Sequence, residues 1–143
     1  MSEQLEDLKP EQFQELDVSL VGFRETLKET LPGYNGGKIS SENLAKAWVS
    51  LIRYPIPPDL VEWLARSFGV ALGAAISNEL EFRWKILIDE YGKSLCLVEP
   101  KTGIRVFPMD TVQRNIEEQR SEFIPAYFAN LKRIVDEQAK GSA

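Results

Sequence analysis

Apolar residues recur at steps of three and four positions along much of the chain, which is the spacing of one face of an α-helix. One such stripe begins near Pro10, a second follows Ser40 or Ser41, either of which can cap a helix, and a third follows Ser121. These stripes predict a helical N-terminal part over residues 10–58 and a C-terminal helix over residues 121–138. Their apolar members are Phe13, Leu16, Leu20, Phe23, Leu27 and Leu31; Leu44, Ala47, Trp48, Leu51 and Ile52; and Ile124, Tyr127, Phe128, Leu131, Ile134 and Val135.

A further helix is predicted over residues 60–80, and Asp59 is placed to cap it. Its segment "FGVALGAAIS" is apolar on nearly every side, which is typical of a helix buried on both sides. Gly69, Gly73 and Ser77 follow one another at four-residue spacing and give the helix one smooth side. We expect that side to lie against a sheet of the same domain.

The residues after this helix alternate between apolar and polar positions. The segment "FRWKILI" places Phe82, Trp84, Ile86 and Ile88 on one face of a strand. Two more strands, "SLCLVE" and "IRVF", follow the turns "DEYGK" and "PKTG". These short connections predict an antiparallel meander, and Asp110 then caps a short helix that extends through Gln119.

Together these elements predict one α+β domain over residues 1–143, with about five helices packed around a three-stranded antiparallel β-meander. The central helix and the meander occupy residues 59–120, and helix 60–80 is expected between the sheet and the N-terminal helices. Residues 1–9 are expected to be flexible. A chain of 143 residues buries enough surface to form a core without disulfides or metals.

The stretch from about residue 68 to 118 combines several recognisable segments: "FGVALGAAI", a tryptophan strand, "DEYG", an apolar strand, "PKTG", and "VFP" leading to a capped helix. This combination resembles a family of small, uncharacterised bacterial domains. The resemblance implies a fold and no activity. In its bulk properties the chain is also similar to bacterial toxin-immunity proteins, which are small, acidic and cytoplasmic.

The composition is that of an acidic soluble protein. The 22 acidic and 17 basic residues give a net charge of −5, and the basic residues are scattered rather than clustered. Nucleic-acid binding requires a basic footprint, so we expect no nucleic-acid partner. The acidic N-terminus lacks the features of a secretory signal and no apolar run reaches the length of a membrane span, so we expect a cytoplasmic protein with no membrane partner, either a monomer or a homodimer.

The loop "LPGYNGGKIS" at residues 31–40 has the composition of a phosphate-binding loop but not its order. The Walker pattern requires Gly, four residues, and then Gly-Lys-Ser or Gly-Lys-Thr. Pro32 stands where the first glycine belongs, and Ile39 follows Lys38 where the hydroxyl residue belongs. We therefore interpret this segment as a helix-to-helix loop and expect no nucleotide cofactor.

The sequence offers few groups for catalysis. It contains no histidine and one cysteine, Cys96, which lies in an apolar strand. Histidine-based triads, thiolate clusters and histidine-containing zinc sites are thereby excluded. The carboxylate pairs, such as Asp89 with Glu90, are neighbours in sequence, and adjacent strand residues point to opposite faces. We predict no catalytic, cofactor-binding or metal-binding residues.

The function expected from these features is protein binding without catalysis. Within that class we favour an inhibitor or immunity protein that occludes a partner with a basic surface, with a secretion chaperone as an alternative. A small-ligand domain or carboxylate-based enzyme with a pocket between helix and sheet is the alternative from another class. For Trp63 we favour packing in the core, with contact with a partner as the alternative. The candidate partner-binding residues are Glu11, Glu15, Glu25, Tyr54, Trp63, Asp89, Glu90 and Tyr91.

Overall fold

The computed structural model describes residues 3–141, which form one α+β domain with five helices and a four-stranded antiparallel sheet. The predicted fold class is confirmed, and the strand count is corrected from three to four. The helices are α1 (Pro10–Thr30), α2 (Ser41–Leu51), α3 (Pro58–Leu80), α4 (Pro108–Glu118) and α5 (Phe123–Gly141). The strands are β1 (Gln4–Asp7), β2 (Arg83–Asp89), β3 (Gly92–Val98) and β4 (Arg105–Val106).

The sheet has the order β1-β2-β3-β4, so the predicted meander is extended by an N-terminal edge strand. In β1, Gln4 lies opposite Ile88 of β2. The expectation that residues 1–9 are flexible is therefore wrong for residues 4–7, while residues 1–2 lie outside the described part of the chain. The physical reason is that backbone pairing holds β1 while its side chains stay exposed. Ion pairs between Asp7 and Lys85, and between Glu3 and Arg105, connect this end of the chain to the sheet.

Prolines set the starts of three helices, because proline fits the first helical position, where its missing N–H costs nothing. Pro10, Pro58 and Pro108 stand at the starts of α1, α3 and α4. The capping roles predicted for Asp59 and Asp110 are wrong, since both lie within a first helical turn.

Serine capping is confirmed at α2, but not at α5. The Ser40 hydroxyl accepts a hydrogen bond from the Asn43 N–H at 3.0 Å. Ser41, the first residue of α2, donates from its N–H and its hydroxyl to the carboxylate of Glu79 at 2.7 and 2.6 Å, which ties the start of α2 to the end of α3. Helix α5 begins at Phe123, two residues after Ser121, where its start was predicted.

Helix α3 is the centre of the fold, as predicted. The buried indole of Trp48 in α2 meets the rings of Phe68 and Phe123 edge-on, at centroid distances of 5.2 and 5.0 Å. Its Nε1–H donates to the Arg120 carbonyl at 2.6 Å. This aromatic group joins α2 and α5 to α3.

The smooth side of α3 accepts two different neighbours. A Cβ added at Gly73 would overlap the indole of Trp84 in β2 and lie 3.2 Å from Leu97 in β3. A Cβ at Gly69 would lie 2.8 Å from the Cα of Met109 in α4. Packing against the sheet is thus confirmed at Gly73, whereas Gly69 instead receives the start of α4.

Within the described residues, α3 is also the one helix long and apolar enough, by length and composition, to cross a membrane. Half of its most apolar window is buried inside the domain. The central helix of a soluble core has the same composition, so this feature is weak support for a membrane span.

Candidate functional site

A groove of about 700 Å³ lies between α1, α2 and α3, and every residue that lines it is uncharged. Both α1 and α2 pack on α3, which leaves a trough between them. We call this trough the helix groove. Its volume is in the range of ligand-binding clefts, roughly 300–1,000 Å³. Its lining is Val18, Ser19, Gly22, Phe23, Thr26, Leu27, Thr30, Leu31, Ala47, Ser50, Leu51, Trp63, Leu64, Ser67 and Phe68.

The wall formed by α1 is neutral because of a four-residue repeat. Val18, Gly22, Thr26 and Thr30 follow one another at single helical turns, in a helix that is otherwise rich in charge. The Thr26 hydroxyl donates to the Gly22 carbonyl at 3.1 Å, and the Thr30 hydroxyl donates to the Thr26 carbonyl at 2.8 Å. Because these hydrogens are used within the helix, the wall offers a guest mainly methyl groups and backbone.

The groove deepens from an exposed rim to a buried floor. Val18 on α1 and Trp63 on α3 are 68% and 67% exposed, although both are large apolar side chains. Phe68 lies on the floor, buried, and meets the ring of Phe23 edge-on at 5.5 Å. The floor is therefore fixed by core packing, whereas the rim residues have few neighbours.

The structure separates the aromatic candidates of the sequence analysis. The core interpretation of Trp63 is wrong, since its side chain lies at the rim of the helix groove. Tyr54 is equally exposed, at 72%, but lies outside the groove lining. Tyr91 is exposed at the β2–β3 turn, where its N–H donates to the Asp89 carboxylate at 2.9 Å.

The acidic candidates do not form one surface either. Glu11, Glu15 and Glu25 are exposed on α1, and Glu25 is paired with Lys28 at 3.6 Å. Glu90 lies with Asp89 and Tyr91 at the hairpin tip, away from the groove lining. The eight candidates are therefore divided between α1, the groove rim, the residues after α2 and the hairpin tip.

A second, smaller cavity of about 400 Å³ lies between α1, α3, α4 and the sheet. We call it the sheet-side cavity. Its floor is apolar, and Glu15, Arg66 and Asp110 stand around it. Ser19 lines both this cavity and the helix groove, so the two hollows adjoin at α1.

The remaining groups with potential chemical reactivity, Cys96 and Glu99, are buried. Cys96 is buried in β3, and burial raises the pKa of its thiol, which disfavours the nucleophilic thiolate. Burial alone would raise the pKa of Glu99, but hydrogen bonds from Thr102 and Lys101 outweigh this and hold its pKa below the usual value. Among residues 3–141, no three Cys, Asp or Glu side chains are grouped so that they could hold a metal ion.

Sequence reasoning missed the α1 wall of the helix groove and the arginine of the sheet-side cavity. The wall does have a signal in the sequence: Val18, Gly22, Thr26 and Thr30 are uncharged at every fourth position of a charged helix. Arg66 has no such signal, because its place beside Glu15 and Asp110 depends on how three helices meet.

Comparison with known proteins identifies a family and a fold. Residues 45–127 match a domain of unknown function, DUF3806. A crystal structure from Bacteroides thetaiotaomicron VPI-5482 is similar with a TM-score of 0.63 and 20% sequence identity, over 90% of this chain and 48% of that one. This chain thus spans about half the length of that protein, and at this identity the likeness concerns the fold alone. No curated protein sequence matches the chain. The predicted resemblance to a small domain family without assigned chemistry is confirmed.

Proposed function

We propose that this chain, which belongs to the DUF3806 family, is a non-catalytic protein-binding protein that holds an apolar segment of its partner in the helix groove. The observation that carries the proposal is the uncharged lining of the groove, with Trp63 exposed at its rim. Exposed tryptophans beside apolar clefts are frequent anchors of protein interfaces. A contiguous exposed apolar surface is also costly unless a partner covers it.

The walls of the groove favour a helical partner segment. All of its lining residues belong to helices or their ends, and none belongs to a strand. A helix has no unpaired backbone groups along its length, so the groove cannot pair with an extended chain as a sheet edge would. A partner segment in this groove must satisfy its own backbone hydrogen bonds, and an α-helix does so.

The length of the groove sets the length of that segment. Its α1 wall extends from Val18 to Thr30, which is about 18 Å at 1.5 Å per residue. A helix of about three turns covers that distance. Apolar side chains at positions i, i+3 or i+4, and i+7 would then point into the groove.

The acidic balance of the chain, a net charge of −5, favours basic residues on the flanks of the bound helix. Beside the groove, Glu25 is paired with Lys28, whereas Glu29 is exposed and takes part in no ion pair among residues 3–141. Opposite charges at a rim mainly accelerate association. We therefore propose a basic amphipathic helix of another protein as the occupant, and an inhibitor or immunity protein as the role. Occupation of the groove would occlude that helix.

The test uses two synthetic peptides of about 14 residues made of leucine and lysine. One places its leucines on a single helical face, and the other has the same composition in scrambled order. Isothermal titration calorimetry should detect binding of the first peptide and at least tenfold weaker binding of the second, because only the first can align its leucines with the groove. Equal binding of both peptides would show that charge alone attracts them and would refute the proposal that the groove binds an amphipathic helix.

Two aromatic residues provide matched variants for this experiment. Trp63→Ala should weaken binding of the amphipathic peptide by about tenfold or more, the usual loss at an interface anchor. Tyr54→Ala removes a similarly exposed aromatic residue outside the groove and should change the affinity less than twofold. Equal effects of the two substitutions would contradict the proposed site. Tight binding of dodecanoate with no binding of either peptide would instead support a small-ligand domain.

A further inference from the structure

The sheet-side cavity adjoins the helix groove at Ser19 but has a different chemistry, because charged residues line it. It is formed where the first half of α1 and the middle of α3 meet β2, β3 and the first turn of α4. We propose that this cavity is a second binding site, for a small zwitterion with an apolar side chain, such as a free leucine. The proposal does not depend on the function of the helix groove.

The floor of the cavity suits an aliphatic side chain. Leu8, Leu16 and Val70 form a small apolar cluster separate from the main core, and Ile86 and Leu95 of the sheet pack against it. These five residues also line the cavity. A ligand side chain of four or five heavy atoms placed there would lose its contact with water, which is favourable by roughly 25 cal/mol for each Å² removed.

The charged residues at the rim come from three helices and have both signs. Glu15 lies on α1, Arg66 on α3 and Asp110 in the first turn of α4. In residues 3–141 none of the three takes part in an ion pair or a side-chain hydrogen bond. Two other acidic residues near the sheet are engaged: Asp7 binds Lys85 and Glu3 binds Arg105.

Opposite charges around one apolar floor define the ligand. The planar guanidinium of Arg66 can bind a carboxylate through two parallel hydrogen bonds. The carboxylates of Glu15 and Asp110 can each accept a hydrogen bond from an ammonium group. A ligand that satisfies all three and also covers the floor carries a carboxylate, an ammonium group and an aliphatic chain. A cavity of about 400 Å³ holds one such molecule.

The experiment compares L-leucine with three analogues that each lack one group. Leucinamide lacks the carboxylate, 4-methylpentanoate lacks the ammonium group, and glycine lacks the aliphatic chain. Calorimetric titration should show saturable binding of leucine at millimolar or lower concentration and about tenfold weaker binding of each analogue. Absence of saturable leucine binding at about 10 mM overturns the proposal.

Substitutions at two exposed arginines locate the binding. Arg66→Met keeps an unbranched apolar stem and removes the charge, so leucine should bind no better than leucinamide. Arg53→Met removes an exposed charge that lies outside the cavity and should leave leucine binding unchanged. If leucine binding persists unaltered in Arg66→Met, the ligand lies elsewhere and the proposal is wrong. Arg66→Met should also bind the amphipathic peptide as the unmodified protein does, so failure of one site is distinguished from failure of the other.

Discussion

The close contact between α3 and the sheet allows the effect of a substitution at Gly73 on the free energy of unfolding to be predicted. A Cβ at this position overlaps the indole of Trp84 and approaches Leu97, so Gly73→Ala requires the ring to move within a packed layer. Overpacking of this kind costs roughly 1–3 kcal/mol. Alanine is also the better helix former, by roughly 0.5–1 kcal/mol, and this gain offsets part of the cost.

Gly22 provides the control that separates these two effects. It also lies inside a helix, but a Cβ added there has no atom within 4 Å. Gly22→Ala should therefore show the helix-propensity gain alone and stabilise the protein by roughly 0.5–1 kcal/mol. The free energies of unfolding of Gly73→Ala and Gly22→Ala should then differ by the overpacking term, about 1–3 kcal/mol.

Urea denaturation and thermal melting of both variants provide the measurement. For a chain of this length the expected difference is about 3–9 °C in Tm, with Gly73→Ala the less stable. If the two variants are equally stable, the α3–sheet contact is looser than described, and the reasoning from the missing Cβ is wrong. A Gly73→Ala protein that keeps its stability but changes its oligomeric state would place this side of α3 at a subunit boundary.

Three further outcomes can be checked with the same assays. Glu99→Gln should be less stable than the unmodified protein at pH 7, because folding lowers the pKa of Glu99 and so favours its charged form. The difference in unfolding free energy should shrink as the pH falls below the usual glutamate pKa of about 4.3, and a difference independent of pH would contradict this. Trp48→Phe removes the short hydrogen bond to the Arg120 carbonyl, which then keeps only the longer one from the Phe123 N–H at 3.4 Å. Equilibrium unfolding should show a loss of about 1–3 kcal/mol, and an unchanged stability would contradict the importance of the Trp48 bond. Lys38→Ala should leave the melting temperature nearly unchanged, and millimolar ATP or GTP should not raise it in either protein; a nucleotide-dependent rise abolished by Lys38→Ala would refute the loop interpretation.

The helices and the central meander could be predicted from the sequence because their buried faces require apolar residues at regular spacing. α3 was recognisable from its apolar surface, and β2 from its alternation. β1 shows no such spacing, since all four of its residues are exposed. Its position in the sheet depends on backbone hydrogen bonds, which any residue but proline can make. The starts of α3 and α4 were misplaced because Asp59 and Asp110 are acceptable caps, whereas the prolines before them determine the first turn.

The candidate sites were harder to predict than the fold. The sequence indicated Trp63 as a candidate, but the helix groove also depends on the gap that α1 and α2 leave on α3. Likewise, no spacing in the sequence relates Glu15 to Arg66 and Asp110, which are about 50 and 95 positions away along the chain. Such sites arise from the angles and separations of packed helices, and these are properties of the assembled domain.

The edge strand β1 also affects the order of events during synthesis. Gln4 is made before its partner Ile88, which follows 84 residues later along the chain. At about 5–20 residues per second, a ribosome needs roughly 4–17 seconds to cover that interval. During this time β1 has no strand to pair with, and its exposed, acidic character keeps the waiting segment soluble. When β2 emerges, its outer edge stays unpaired until β1 binds to it. This pairing joins distant parts of the chain, and such contacts are intrinsically slow to form. A chain that loses β1 would keep that edge open permanently and expose it to other chains.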